Sequence, residues 1–385
     1  MKKIMKTKLL AIVTVSALAF TACSDDDNPT PGQEDVVLTE LKGNITGNAT
    51  LGSTNVPLSG ATIVREGATL TIPEGTTITA DAAGTGTYLL VERGAKIIAE
   101  GTADNPIVFT SSGGKSASWG GLLINGYAPI SRSEGGSLEA ATEIAGNIMF
   151  GGDKPNDNSG ILKFVKIEYS GAKIDNDAEH NGLTLNGVGN GTVISDIFIV
   201  DGADDAIEFF GGTVNVTNLL VVNSEDDMFD FSQGYSGTLA NAYGVWEPSY
   251  VSTSSDPRGI EADGNLDGDG PDDINQSNFT VKDMTIVNRS QADMNDMIKI
   301  RRGATATITN LLLEIAEGAK FVETDIIDFE DGKGAGESTS SITYTFNPAS
   351  LFDASKVKDE GATITKNDSQ TGANTSVFSW TGYSF

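Results

Sequence analysis

The strongest constraint on the fold is that the chain repeats itself in register. Ser195-Asp196-Ile197-Phe198-Ile199-Val200-Asp201 returns 22 residues later as Thr217-Asn218-Leu219-Leu220-Val221-Val222-Asn223, and the match extends to Asp204-Asp205 with Asp226-Asp227 and to Phe209 with Phe231. A third copy, Lys282-Asp283-Met284-Thr285-Ile286-Val287-Asn288, precedes Asp296-Met297-Ile298-Lys299-Ile300, and a fourth begins at Thr309-Asn310-Leu311. A strand that recurs at a fixed short period buries its apolar side against the next copy, so the repeat predicts a solenoid.

The period continues upstream less regularly. Short alternating or apolar runs occupy 68–72, 76–80, 88–91, 95–99, 107–111 and 121–125, each punctuated by Gly, Pro, Asn or Asp. Outside the N-terminal leader no window carries helical periodicity for more than about two turns. An antiparallel sandwich also yields short strands, but it gives no reason for the same strand to return in register. The expected fold is all-β, a right-handed parallel β-helix over residues 34–340 with an insertion around 246–278. Open coil ends expose strand edges, so caps are expected at both. Residues 34–51 form the first, and residues 341–385 the second, with Phe378, Trp380, Tyr383 and Phe385 plugging the last coil.

Charge and two rare residue types remove whole classes of function. With 53 acidic and 25 basic side chains the formal charge is -28, and phosphate backbones need a positive field, so nucleic acid is excluded as a partner. One Cys permits no internal disulfide and no thiolate metal cluster, and one His excludes mechanisms that need two imidazoles.

The first residues read as an address. Lys2, Lys3, Lys6 and Lys8 precede an apolar run from Leu9 to Phe20, then Thr21, Ala22 and the single Cys23. At about 12 apolar residues the run is too short to span a bilayer, which needs roughly 20, and it is expected to be cleaved as a signal over residues 1–22. Cys23 after Phe20-Thr21-Ala22 resembles the lipobox of bacterial lipoproteins. Acylation of Cys23 then holds the chain on a membrane without a spanning helix. Residues 23–33 read as a polar tether. Its Asp25-Asp26-Asp27 resembles the signal that sends lipoproteins of the Bacteroidota to the outer face of the outer membrane; read instead as a plain solvated linker, it leaves the protein facing the periplasm.

The stretches Gly67 to Thr76, Leu89 to Thr102, Asn105 to Thr110, Trp119 to Gly126 and Gly259 to Asp263 resemble secreted β-helix proteins of the Bacteroidota. The resemblance implies a pectate-lyase-like solenoid over nearly the whole mature chain and carries over no catalytic residue.

The aligned coils also place chemistry. With Ile207 and Phe209, Phe229 and Phe231, and Ile298 and Ile300 pointing inward, the residues between them face outward on one sheet. The expected column is Glu208, Asp230, Glu261, Lys299. Coils lie about 4.8 Å apart, where bare carboxylates repel by about 1 kcal/mol in water and more in a less polar groove. Lys299, Arg301, Arg302, a bound cation or raised carboxyl pKa values are the available compensation. Asp204, Asp205, Asp226 and Asp227 stack beside the column. This edge either holds Ca²⁺ or is a solvated acidic face.

A local cation motif lies in Asp263-Gly264-Asn265-Leu266-Asp267-Gly268-Asp269, which opens like an EF-hand loop but has Ile274 at the twelfth position in place of Glu. It is either a Ca²⁺ loop with ligands Asp263, Asn265, Asp267 and Asp269 or a plain acidic turn. Trp246, Tyr250, Tyr235 and Tyr243 cluster near the expected insertion and are the candidates for stacking on sugar rings.

Three functions fit these residues. The first is an outer-membrane lipoprotein that binds extracellular glycan or another cell-surface partner, with Ca²⁺ as the only cofactor in view. The second is an enzyme on polysaccharide. As a lyase it would use Asp226, Asp230 and Glu261 to hold Ca²⁺ and Lys299 or Arg302 as base; as a hydrolase it would use pairs among Asp204, Asp205, Asp226 and Asp227. The hydrolase lacks a Gly-His-Gly motif, and His180 lies upstream of the acidic pairs. The third is a structural or adhesive protein with no small ligand.

Overall fold

The computed structural model describes residues 36–173 and 180–385. The expected signal peptide, Cys23, the tether and residues 34 and 35 of the first cap lie outside the described residues.

The repeat works through its corners. Asp196, Asn218, Asn241, Asp283 and Asn310 all have left-handed backbone, with φ between 53° and 60°. Asp and Asn tolerate that region because their short polar side chains bond locally. Here they also bond to one another along the solenoid: Asn218 Nδ2 donates to Asp196 Oδ1 at 2.8 Å, Asn241 Nδ2 to Asn218 Oδ1 at 2.9 Å, and Asn310 Nδ2 to Asp283 Oδ1 at 2.6 Å. Each corner splits one long strand between two faces. The residues before it pair on one ladder (Ser195 with Thr217, Ala240 with Lys282) and those after it on another (Ile197 with Leu219, Ala242 with Met284).

A further ladder closes each coil, and all three run parallel. It stacks Leu183–Asn186, Ile207–Phe210, Phe229–Ser232, Arg258–Asp263 and Asp296–Arg301. The chain is therefore an all-β parallel β-helix. The upstream runs form strands within a few residues of where the sequence placed them, at Thr69–Ile72, Thr77–Ala80, Gly84–Val91, Lys96–Glu100, Ile107–Ser111 and Trp119–Asn125. Among the described residues no helix is long and apolar enough to cross a membrane.

The inward residues are those the alternation marks: Ile207, Phe209, Phe229, Phe231, Ile298 and Ile300 are fully buried. Phe209 and Phe231, register partners in successive coils, stack at 5.2 Å between centroids, and Phe279 of a different ladder stacks on Phe231 at 4.3 Å, so the core holds a run of rings.

Two details differ from the sequence reading. Residues 246–278 are not one insertion, since Arg258–Asp263 in their middle is a strand of the solenoid, and only the loops on either side are extra. The C-terminal rings do not plug the last coil. The end is covered by Phe352, Val357 and Ile364, which pack on the core. The segment beyond Thr371 runs back along the flank, where Asn374 N donates to Asn241 Oδ1 at 2.6 Å and Lys166 Nζ to Thr381 O at 2.8 Å. Phe378 is buried there against Phe198, Leu220 and Val245, with Trp380 and Tyr383 beside it. The reason is the outer face of that ladder. Phe198, Leu220 and Tyr243 are register partners, and an exposed apolar stripe of that length needs a cover.

Candidate functional site

The outward column of the closing ladder changes character along the solenoid. Ile63, Leu90 and Leu123 are register partners in the early coils, and a hairpin of Ala140–Thr142 and Ala145–Phe150 covers them, with Ile148 on Leu90 and Leu123. Thr184 follows, and then Glu208, Asp230, Glu261 and Lys299 pair in succession, the column read from the sequence. The structure extends it to Asp328 and Lys358. Signs alternate at the far end, whereas three carboxylates adjoin in the middle.

The middle is an open groove of about 460 Å³, lined by Asp204, Asp205, Glu208, Asp226, Asp230 and Glu261 with Arg301. The paired turns deliver Asp204, Asp205, Asp226 and Asp227 to its edge. Three overlapping carboxylate triads form: Asp204, Asp205 and Asp226; Asp205, Glu208 and Asp230; Asp227, Asp230 and Glu261. In each, the oxygens lie within 4.8 Å of one another. Asp205 Oδ1 accepts the Asp227 N–H at 2.9 Å, Asp226 accepts from Ser254 Oγ at 2.6 Å, and Glu208 accepts from Asn181 Nδ2 at 2.5 Å. Asp227 Oδ1 and Asp230 Oδ1 are buried with no hydrogen-bond partner among the described residues.

Burial, followed by the neighbouring carboxylates, pushes Glu208, Asp227 and Asp230 well above the usual carboxylate range. Asp226 is raised in the same direction, chiefly by burial.

The basic residues are committed to the rim. Lys299 Nζ bonds Asp328 Oδ2 at 2.8 Å. Arg302 holds Asp263 at 2.6 Å and Asp331 at 3.3 Å. Both lyase-base candidates from the sequence are thus paired at the rim, and neither lines the groove. Arg301 pairs with Glu261 and with Asp263 at 2.7 Å while lining the groove. Burial and the guanidiniums of Arg258 and Arg302 push its pKa down to about 10. Arg258, which the sequence reading missed, contacts Glu261, Asp256 and Asp296.

The loop after Asp263 does not converge. Asp263 faces Arg301 and Arg302, Asn265 Nδ2 donates to Gln276 Oε1 at 3.1 Å, the Asp267 side chain is exposed, and Asp269 meets Lys333 Nζ at 3.0 Å. Asp263, Asp267 and Asp269 belong to no carboxylate triad among the described residues. The EF-hand reading is therefore corrected: without the twelfth-position Glu, the loop's acids turn outward to separate cations.

The aromatic platform is corrected as well. Trp246 is fully buried with Nε1 donating to Ser224 O at 2.8 Å, and Tyr235 is a core ring stacked on Phe231 whose hydroxyl donates to Val214 O at 2.8 Å. Tyr243 lies under the C-terminal segment and Tyr250 packs against Trp246 at 5.6 Å. Inward parity at Trp246 and the turn geometry at Tyr235 put these rings inside, where no sugar reaches. His180 is buried beside Tyr88, and burial pushes its pKa down to about 4, so it is neutral at pH 7.

Stacked parallel coils with an acidic open face define a β-helix protein whose chemistry lies on one ladder. The chain belongs to the pectate-lyase-like β-helix domain family, whose model matches residues 43–383. No curated protein sequence matches the chain. A solved structure similar to it is the full-length tailspike protein 2 of Escherichia coli O157:H7 bacteriophage CAB120. It is 11% identical, with 83% of this chain and 44% of the tailspike covered and a TM-score of 0.32, so the chain spans less than half of that protein's length.

Proposed function

We propose that the protein is a lipid-anchored outer-membrane protein, facing the cell exterior, whose acidic groove binds an extracellular glycan through Ca²⁺. One observation carries the reading: Asp227 Oδ1 and Asp230 Oδ1 are buried and unpartnered inside overlapping carboxylate triads. Unpaired buried ions cost several kcal/mol each. The remedies are proton uptake, which the raised pKa values express, or a hard cation. Ca²⁺ takes six to eight oxygens; Asp205, Glu208, Asp227 and Asp230 supply part of that shell, and glycan hydroxyls or carboxylates the rest. Without the cation the field of a chain at -28 repels anionic polymers. The address at Cys23 and Asp25-Asp26-Asp27 supports the location.

On a glycan array the protein is expected to bind in Ca²⁺ and to lose binding in EDTA and on Asp230→Asn. Binding that ignores EDTA, or silence in both conditions, would sink the reading; silence leaves a structural or adhesive protein.

Arg301 favours a second reading, a Ca²⁺-dependent lyase with Arg301 as its base, because it lines the groove beside Glu261 and Asp263. Release of unsaturated products from uronate polymers in Ca²⁺, absent in Arg301→Lys, is its signature.

A further inference from the structure

The acidic groove continues into a recess of different chemistry. This second cavity, about 340 Å³, is lined by Ala140 and Phe150 of the hairpin, Phe210, Gln233 and Leu266. Phe210 lies on the same strand as Glu208, two positions on, and it and Leu266 line both cavities, so recess and groove are contiguous. Phe150 and Phe210 meet at 6.4 Å between centroids, tilted by 56°, and form the recess's apolar wall. Leu266 stands over it with 44% of its surface exposed, on a loop rich in acidic residues and Gly. Gln233 is only 6% exposed, yet its Oε1 has no hydrogen-bond partner among the described residues.

We infer that this recess is a subsite for the acetamido group of an N-acetylated amino sugar. The inference rests on the glycan-binding reading of the groove and names the class of sugar. The donors nearby are spent, Asn186 Nδ2 on Asn125 Oδ1 at 2.9 Å and Arg301 on Glu261 and Asp263, whereas Gln233 Oε1 is an unpartnered acceptor, so the ligand must bring a donor. Glu143, Asn186 and Asp267 also line the recess, but Ala140, Phe150, Phe210 and Leu266 give it an apolar wall, so the ligand must also bring a small apolar group. An acetamido substituent carries an N–H next to a methyl. A plain hexose has donors without the methyl, and a 6-deoxy sugar has the methyl without an N–H beside it. The substituent is also neutral, which an acidic groove tolerates where it repels sulfate or carboxylate. The volume suits one sugar unit and its substituent.

Saturation-transfer NMR on the full chain in Ca²⁺ tests it, with N-acetylglucosamine and N-acetylgalactosamine compared against glucose and galactose. The acetyl methyl protons are expected to take up the strongest saturation, and the unsubstituted hexoses to bind about tenfold more weakly. Leu266→Asp, at an exposed position that leaves the core intact, is expected to remove that difference. Equal binding of acetylated and plain sugars, or a preference unchanged by Leu266→Asp, would overturn the subsite and leave the glycan reading standing. Silence from all four sugars would overturn both.

Discussion

At the scale of single residues, the acidic column is unfavourable unless something neutralises it, and this gives a pH dependence with a definite sign. Glu208, Asp227 and Asp230 have folded pKa values raised above their ordinary range, and Asp263 is raised to about 6, mainly by burial. Below the ordinary carboxylate pKa of about 4 these groups are protonated folded and unfolded alike, and they cost the fold nothing. As pH rises from there through the folded values, the unfolded chain ionises first and stability is lost. The metal-free protein is therefore expected to melt lower at pH 8 than at pH 5, and Ca²⁺ to reverse much of the loss. Asp230→Asn is expected to raise the metal-free stability at pH 8 by about 1 kcal/mol or more, since it removes a carboxylate between two others, and to abolish the Ca²⁺ response. Melting curves at both pH values in EDTA and in Ca²⁺ decide this; a metal-free protein that is more stable at pH 8 contradicts it. The column could be read from the sequence because strand parity and the repeat fix which letters face outward and which become neighbours. Arg258 could not, because its reach to Glu261 and Asp296 depends on how the chain enters the strand after the loop. Trp246 and Tyr235 were misread because proximity to a loop says nothing about which side of a coil a ring occupies.

Among the elements, the corner ladder holds the coils in register. Asn218 combines a φ of 60° with bonds to Asp196 on one side and Asn241 on the other. Replacing it with Ala removes both bonds and places a methyl-bearing residue in the left-handed region, at a cost of about 1–3 kcal/mol. Gly recovers the backbone part of that loss. Chemical denaturation of Asn218→Ala and Asn218→Gly measures the two contributions; equal losses would mean that the conformation carries no weight. Asp196, Asn218, Asp283 and Asn310 share one position of the aligned copies in the sequence. Their mutual bonding follows from coil stacking. The path of the C-terminal segment was not legible, because its cover is the outward stripe Phe198, Leu220 and Tyr243, which only the register assembles. An alternating aromatic tail fits an end plug as well as a flank strap, and loop lengths do not choose between them.

At the scale of the whole molecule, one sheet face is apolar where the hairpin covers it, acidic in the open groove and alternately charged near the C-terminal end. The solenoid was the most legible feature, since a repeat in register leaves few alternatives. The EF-hand-like loop was the least, since its spacing matched while its acids turned to Arg301, Arg302 and Lys333. The two acidic regions therefore make opposite claims on a cation. Diffraction from crystals soaked in Tb³⁺, an anomalous scatterer that takes Ca²⁺ sites, separates them directly. The account predicts an anomalous peak about 2.3–2.6 Å from Asp230 Oδ1, within reach of Asp205, Glu208 or Asp227. A groove without a peak, or a peak on the loop at Asp267 and Asp269 instead, would contradict it.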